Sequence, residues 1–168
     1  MGNFTMEKLF KLDELQDILA VQRQANKRVV FTNGCFDIMH AGHAHYLRAA
    51  RDQGDLLVVG LNSDRSVRTL KGASRPIVDQ AMRARVLEAL ACVDYITVFD
   101  DPDPLQLILA LKPDVLVKGA DWEENRIVGA REVRDAGGDV VRVPLVPGIS
   151  TSEIIRRILE KNTLPKEC

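Results

Sequence analysis

The chain has 168 residues, 46% of them hydrophobic and 28% charged, and its 23 Lys and Arg nearly balance 24 Asp and Glu, for a net charge of −1. That apolar content excludes a disordered or low-complexity chain, and the balanced charge argues against a general nucleic-acid binder, which carries a basic excess. No apolar run approaches the ~20 residues that span a bilayer, MGNFTMEKLFKLDEL puts acids where a signal peptide needs an apolar stretch, and three scattered cysteines (Cys35, Cys92, Cys168) form no disulfide framework.

A cytoplasmic protein of one domain is therefore expected. A leading helical segment over 1–27, with its helix near 13–25, precedes a domain over 28–162; 163–168 reads as a flexible tail. Apolar, β-branched runs predict strands at 28–31 (RVVF), 55–61 (DLLVVGL), 94–99 (DYITVF), 114–119 (DVLVKG) and 139–143 (DVVRV). Runs this apolar suit strands buried on both faces, as in a parallel sheet. Helical patterns near 43–53, 80–91, 104–111 and 126–136 alternate with them, and a closing helix follows near 151–161. Strand–helix alternation of this kind predicts an α/β, doubly wound, mainly five-stranded parallel sheet with helices on both faces. Ligands of such sheets bind at the carboxyl ends of the strands. Here those exits are Thr32-Asn33-Gly34, Asn62-Ser63-Asp64, Lys118-Gly119-Ala120-Asp121 and Pro147-Gly148-Ile149-Ser150-Thr151, all polar and rich in small residues.

Several common site motifs are absent. No G-x-G-x-x-G follows the first strand, no G-x-x-x-x-G-K-[ST] occurs, and no G-x-S-x-G elbow occurs. The first strand instead runs into Cys35-Phe36-Asp37-Ile38-Met39-His40-Ala41-Gly42-His43. A helix beginning near His40 sets His40 and His43 roughly 60° apart on its surface, at an N-terminus whose free amides favour an anion. Gly42 between them lets a ligand approach the backbone. Two imidazoles there can donate hydrogen bonds to phosphate oxygens and stabilise developing charge. A zinc site of the two histidines and Asp37 is the rival. His45 cannot join it, lying about 140° and 160° around the helix from the other two, and neither a cysteine pair nor a distant histidine supports it, so no metal ligands are assigned.

Lys71 and Arg75, with Arg83 in the next helix, supply positive charge for an anionic substrate, or else form a solvated charged stretch. Ser150 and Glu153 have the spacing of a capping box, which also orients helix amides toward an anion.

These residues together resemble the cytidylyltransferase-like nucleotidyltransferase superfamily. The likeness rests on His40-Ala41-Gly42-His43 after Gly34-Cys35-Phe36-Asp37 and on Ile149-Ser150-Thr151-Ser152 near the end. Within it the chain is most similar to the D-glycero-β-D-manno-heptose 1-phosphate adenylyltransferases, the nucleotidyl half of bifunctional ADP-heptose synthesis enzymes. FTNGCFDIMHAGH, NSDRSVRTLKGASRPI, PDVLVKGADW and ISTSEIIRRI carry that likeness, in family order, over about 28–159.

The resemblance implies a Rossmann-like sheet and transfer of AMP from ATP to heptose 1-phosphate, with Mg²⁺ on the ATP phosphates. It implies that His40, His43 and Lys71 act on the triphosphate and the transition state. Thr32, Asn33, Gly34, Cys35 and Phe36 would line the nucleotide pocket, and Arg83, Ser150 and Thr151 would hold phosphates. Lys118 and Gly119 would help to bind the nucleotide or its phosphates, and Lys118, Asp121 and Trp122 would border the nucleoside or sugar, while Asn62, Asp64 and Arg75 would face substrate and Asp37 would orient the motif. It also implies a separate sugar kinase upstream, a lipopolysaccharide-type destination for the product and self-association into a homo-oligomer, with neither nucleic acid nor membrane as a partner. The glycerol-phosphate cytidylyltransferase branch writes R-T-E-G-I-S-T-T where this chain has Leu145-Val146-Pro147-Gly148-Ile149-Ser150-Thr151-Ser152. Leucine in the arginine position favours ATP over CTP. Two alternatives stay open on the residues alone: a cytidylyltransferase for an alcohol phosphate, and a non-catalytic nucleotide-binding domain.

Overall fold

The computed structural model describes residues 6–163. Five strands, β1 (Val29–Gly34), β2 (Leu56–Asn62), β3 (Tyr95–Phe99), β4 (Val115–Gly119) and β5 (Asp139–Val143), form one sheet in the order β3-β2-β1-β4-β5. Every pairing is parallel, as the doubly buried apolar runs predict. Among the described residues, seven α-helices surround it: α1 (Leu12–Gln24), α2 (Ala41–Arg51), α3 (Asp64–Lys71), α4 (Gln80–Glu88), α5 (Leu105–Leu111), α6 (Ala130–Asp135) and α7 (Thr151–Thr163).

The strand pleat divides the core in two. Val30, Leu57, Val59, Leu61, Val115 and Val117 turn to the face covered by Tyr46, Leu47 and Ala50 of α2 and Ala84 and Leu87 of α4. Val29, Phe31, Val58 and Leu116 turn to the other, where α1 (Leu15, Leu19), α5 and α6 pack. The leading segment is not helical throughout: the Phe10 amide donates to the Ile96 carbonyl and the Ile96 amide to the Lys8 carbonyl, so Lys8–Phe10 runs beside the β3 edge. Arg23 of α1 donates to the Leu111 and Lys112 carbonyls at the end of α5, where a cation meets the negative end of the dipole. Of the tail, Thr163 is the last residue of α7, and 164–168 lie outside the described residues.

One helix is absent from the sequence reading. Residues 64–71 form α3, capped by Ser63, whose hydroxyl accepts from the Ser66 amide at 3.1 Å. Lys71 is thus the last residue of a helix and not part of a loop. The crossover from β1 to β2 runs on one side of β1, and β4 lies on its other side. The crevice above the end of β1 is the switch point where doubly wound sheets bind ligands.

Candidate active site

A cavity of about 590 Å³ opens over the carboxyl ends of β1, β2 and β4, within the size range of small-molecule sites. Its floor begins where β1 ends, at Asn33 and Gly34, and continues through Cys35, Phe36 and Asp37 to the start of α2. Phe36 and Ile38 adopt left-handed backbone angles (φ 48° and 51°), an unusual conformation for an aromatic and a β-branched residue. Asp37 between them, 1% exposed, holds the loop in that shape. Its carboxylate accepts from the Ile77 and Val78 amides and from Arg75 Nε at 2.7 Å, and its main-chain oxygen accepts from the Thr151 hydroxyl at 2.6 Å. Burial pushes the Asp37 carboxyl upward, but these amides and Arg75 outweigh it and hold the group below the usual carboxylate range.

His40 stands one residue ahead of its expected place, as the extended N-cap of α2 (φ −143°, ψ 172°), and its side chain makes no capping hydrogen bond. Its ring is free to stack on His43, with centroids 3.9 Å apart and planes 24° apart, while His43 meets the Phe36 ring edge-on at 5.5 Å. Burial drives His43 down to about 4, and His40 beside it pushes the same way; burial lowers His40 as well. Both are neutral imidazoles at pH 7, and their Nδ1 atoms are buried without a partner. A Cβ on Gly42 would stand 3.0 Å from the His40 ring and 3.3 Å from Ile149 Cγ2, so glycine leaves room for this stack. His45 is exposed, on another side of α2.

The opposite rim is the start of α7, where Ser150, Thr151 and Ser152 face the cavity. Half of the expected capping box is present. Ser150 Oγ accepts from the Glu153 amide at 3.1 Å, but Glu153 gives its carboxylate to Arg156 and Arg157 rather than reaching back. Two helix N-termini, those of α2 and α7, therefore border one cavity, and each favours an anion.

Lys71, Arg75, Asn62, Gly119, Asp121 and Trp122 line the cavity as the sequence predicts, and so does Lys118. Lys118 is 9% exposed; its ammonium donates to Asn33 Oδ1 and lies 6.0 Å from the centre of the Trp122 ring. Burial pulls it down to about 8, opposed by Asp121. Cys35 is a neutral thiol, because burial raises it more than Lys71, Arg83 and Arg75 lower it.

Three expected site residues do not line the cavity. Arg83 is 1% exposed and gives its guanidinium to Cys35 O, Val78 O and Asp64 Oδ1, so it braces the site from beneath instead of holding phosphates. Asp64, its partner at 2.8 Å, is likewise structural. Thr32 is fully buried; its hydroxyl meets Tyr46 Oη, which donates to Val117 O and so ties β1 to β4. The cavity also has an apolar wall of Val128, Leu145, Val146 and Ile149, of which Val128 alone stood outside the stretches quoted from the sequence. Among the described residues, no group of three or more His, Cys, Asp and Glu could hold a metal ion.

A doubly wound parallel sheet whose switch point carries stacked imidazoles between two helix N-termini is the architecture of a Rossmann-like nucleotidyltransferase. The chain belongs to the cytidylyltransferase-like family, whose model matches residues 31–157. It is 53% identical to the bifunctional protein HldE of Syntrophotalea carbinolica over 89% of this chain and 30% of that protein, and 49% identical to HldE of Trichlorobacter lovleyi over 93% and 32%. It thus spans about a third of the length of these curated relatives. Among solved structures, a lipopolysaccharide core biosynthesis protein from Thermoplasma volcanium matches at 28% identity and a TM-score of 0.59, over 71% of this chain and 97% of that one. A pantoate-β-alanine ligase from Francisella tularensis shares the fold at a TM-score of 0.61, over 91% and 79%, with 12% identity. Among the described residues no helix is long and apolar enough to cross a membrane.

Proposed function

We propose that this nucleotidyltransferase moves AMP from ATP to D-glycero-β-D-manno-heptose 1-phosphate, giving ADP-heptose and pyrophosphate. About half-identity to HldE proteins across nine-tenths of the chain carries the reading, since the motifs quoted above are similar to the nucleotidyl half of those enzymes. Leu145 on the cavity wall supports ATP, because it stands where the cytidylyltransferase branch writes arginine.

The acceptor phosphate is ionised at neutral pH and attacks the α-phosphorus directly. A new P–O bond forms, the bond to the β-phosphate oxygen breaks, and pyrophosphate leaves with the electron pair. No general base is required. His40 and His43 donate hydrogen bonds to phosphate oxygens as charge shifts toward the leaving group, and the amides at the starts of α2 and α7 share that charge. Lys71 adds a mobile cation, while Arg75 is half-committed to Asp37. Mg²⁺ belongs to the substrate, neutralising charge on the phosphates of MgATP. A sugar kinase would supply the acceptor.

The test is pyrophosphate release with heptose 1-phosphate and Mg²⁺, run in parallel with ATP, CTP, GTP and UTP. Release with ATP alone, with ADP-heptose formed, is expected. Release with CTP alone would transfer the enzyme to the cytidylyl branch, and silence with all four would sink the assigned acceptor.

A further inference from the structure

The charges around the cavity fall into two groups on opposite flanks of β1. Lys71 and Arg75 follow β2, on one side. Lys118, the penultimate residue of β4, lies on the other. The β1–β4 register pairs Val30 with Val115 and Phe31 with Leu116, and the same offset sets Asn33 beside Lys118 at the mouth of the crevice between these strands.

Lys118 is an unusual residue to find there. Its ammonium is buried, yet its hydrogen-bond acceptor is the neutral Asn33 amide oxygen, and no carboxylate lies within ion-pair distance among the described residues. A lysine carries three N–H donors, and the bond to Asn33 uses one. Burying a cation without a counter-ion costs free energy that an arriving anion would offset. Asp121 is near enough to act on Lys118 through space without pairing with it, and Trp122 offers only its ring face. The site is therefore built to receive a negative charge from outside the protein.

An in-line displacement at the α-phosphorus needs two such places. The attacking phosphate and the departing pyrophosphate lie on opposite sides of the reacting centre, and each is an anion that must be held. The two histidines and the start of α7 serve one. We propose that Lys118 anchors the phosphate of the acceptor, with Asn33 aiming its ammonium into the crevice between β1 and β4. This rests on the proposed reaction for the identity of the acceptor, but on the cavity alone for the presence of a second phosphate site.

Lys118→Met keeps the length of the side chain and removes its charge. It is expected to raise KM for heptose 1-phosphate about 10–100-fold, the effect of losing one charge-assisted hydrogen bond, while KM for ATP and the Kd of α,β-methylene-ATP stay within about twofold. Lys118→Arg should recover part of the loss. Weakened binding of the ATP analogue with an unchanged acceptor KM would make Lys118 a nucleotide ligand and overturn the proposal, as would no effect on either. If the wild-type protein does not use heptose 1-phosphate at all, the assigned acceptor fails, and the anchor is tested separately. Inorganic phosphate is titrated into protein saturated with α,β-methylene-ATP: binding at least about tenfold weaker in Lys118→Met upholds the site, and equal or absent binding in both proteins overturns it. Circular dichroism checks that the variant folds, and Lys118→Gln replaces it if it does not.

Discussion

His40 caps its helix with backbone alone, and its imidazole is thereby spared for a ligand. Two rings stacked at 3.9 Å tolerate each other because both are uncharged; a proton on one makes a proton on the other more costly. Phosphate oxygens would reverse this balance by drawing hydrogen-bond donors toward them. His40→Ala and His43→Ala should each lower kcat by about 10²–10³-fold, the range for loss of one donor to a transition-state oxyanion, with the melting temperature nearly unchanged. Steady-state turnover beside thermal melting checks this; wild-type turnover in either folded variant would remove the ring from the reaction. Acid should expose the same pair in stability. His43 has a folded pKa of about 4 against an unfolded 6.5, so its contribution is complete above 6.5 and is lost as pH falls toward 4. The Asp37 contribution has its carboxylate lowered, so it persists to more acidic pH and disappears only below the usual carboxylate range. Melting temperature followed between pH 7 and pH 4 should fall in the wild type and fall less in His43→Gln.

At the scale of elements, Asp37 joins segments distant in sequence: the loop after β1, the stretch before α4 and the start of α7. A left-handed Ile38 costs on the order of 1–2 kcal/mol, and the bonds of Asp37 keep the loop there. Asp37→Asn keeps the size but turns an amide donor toward amide donors. It should cost about 2–3 kcal/mol and lower kcat together with stability, measured by urea denaturation and turnover, and a variant of full stability would contradict the brace. The motif around His40 was legible because its spacing is local. The partners of Asp37 were not, since strand order decides which loops meet. Helix α3 escaped because Ser66 and Val67 are its buried residues, too few for an apolar period to register, although Ser63 followed by Asp64 is an N-cap signal. Arg83 was misread because a guanidinium resembles a phosphate ligand in any sequence. Its neighbours Ala84 and Leu87, both buried on the same helix, were the sign that this face turns inward.

Across the whole molecule, the rigid and the loosely held parts are unequal partners in the site. The central strands are buried on both faces, and two of them, β1 and β4, bring Asn33 and Lys118 to the cavity. Helix α7 brings the other rim, yet none of its residues 151–162 is buried, and 156–162 are all exposed. It is moored at its start, through the Thr151 hydroxyl to Asp37 and, just ahead of the helix, through Ile149 beside Gly42. In deuterated water the amides of α7 should therefore exchange well before those of β1 and β4, and slow when α,β-methylene-ATP binds; equal protection of helix and strands would contradict this. With that difference, one end of the groove would keep its shape until global unfolding, while the other would open and re-form within the lifetime of a single folded molecule. Product can depart past the second without any strand leaving its neighbour.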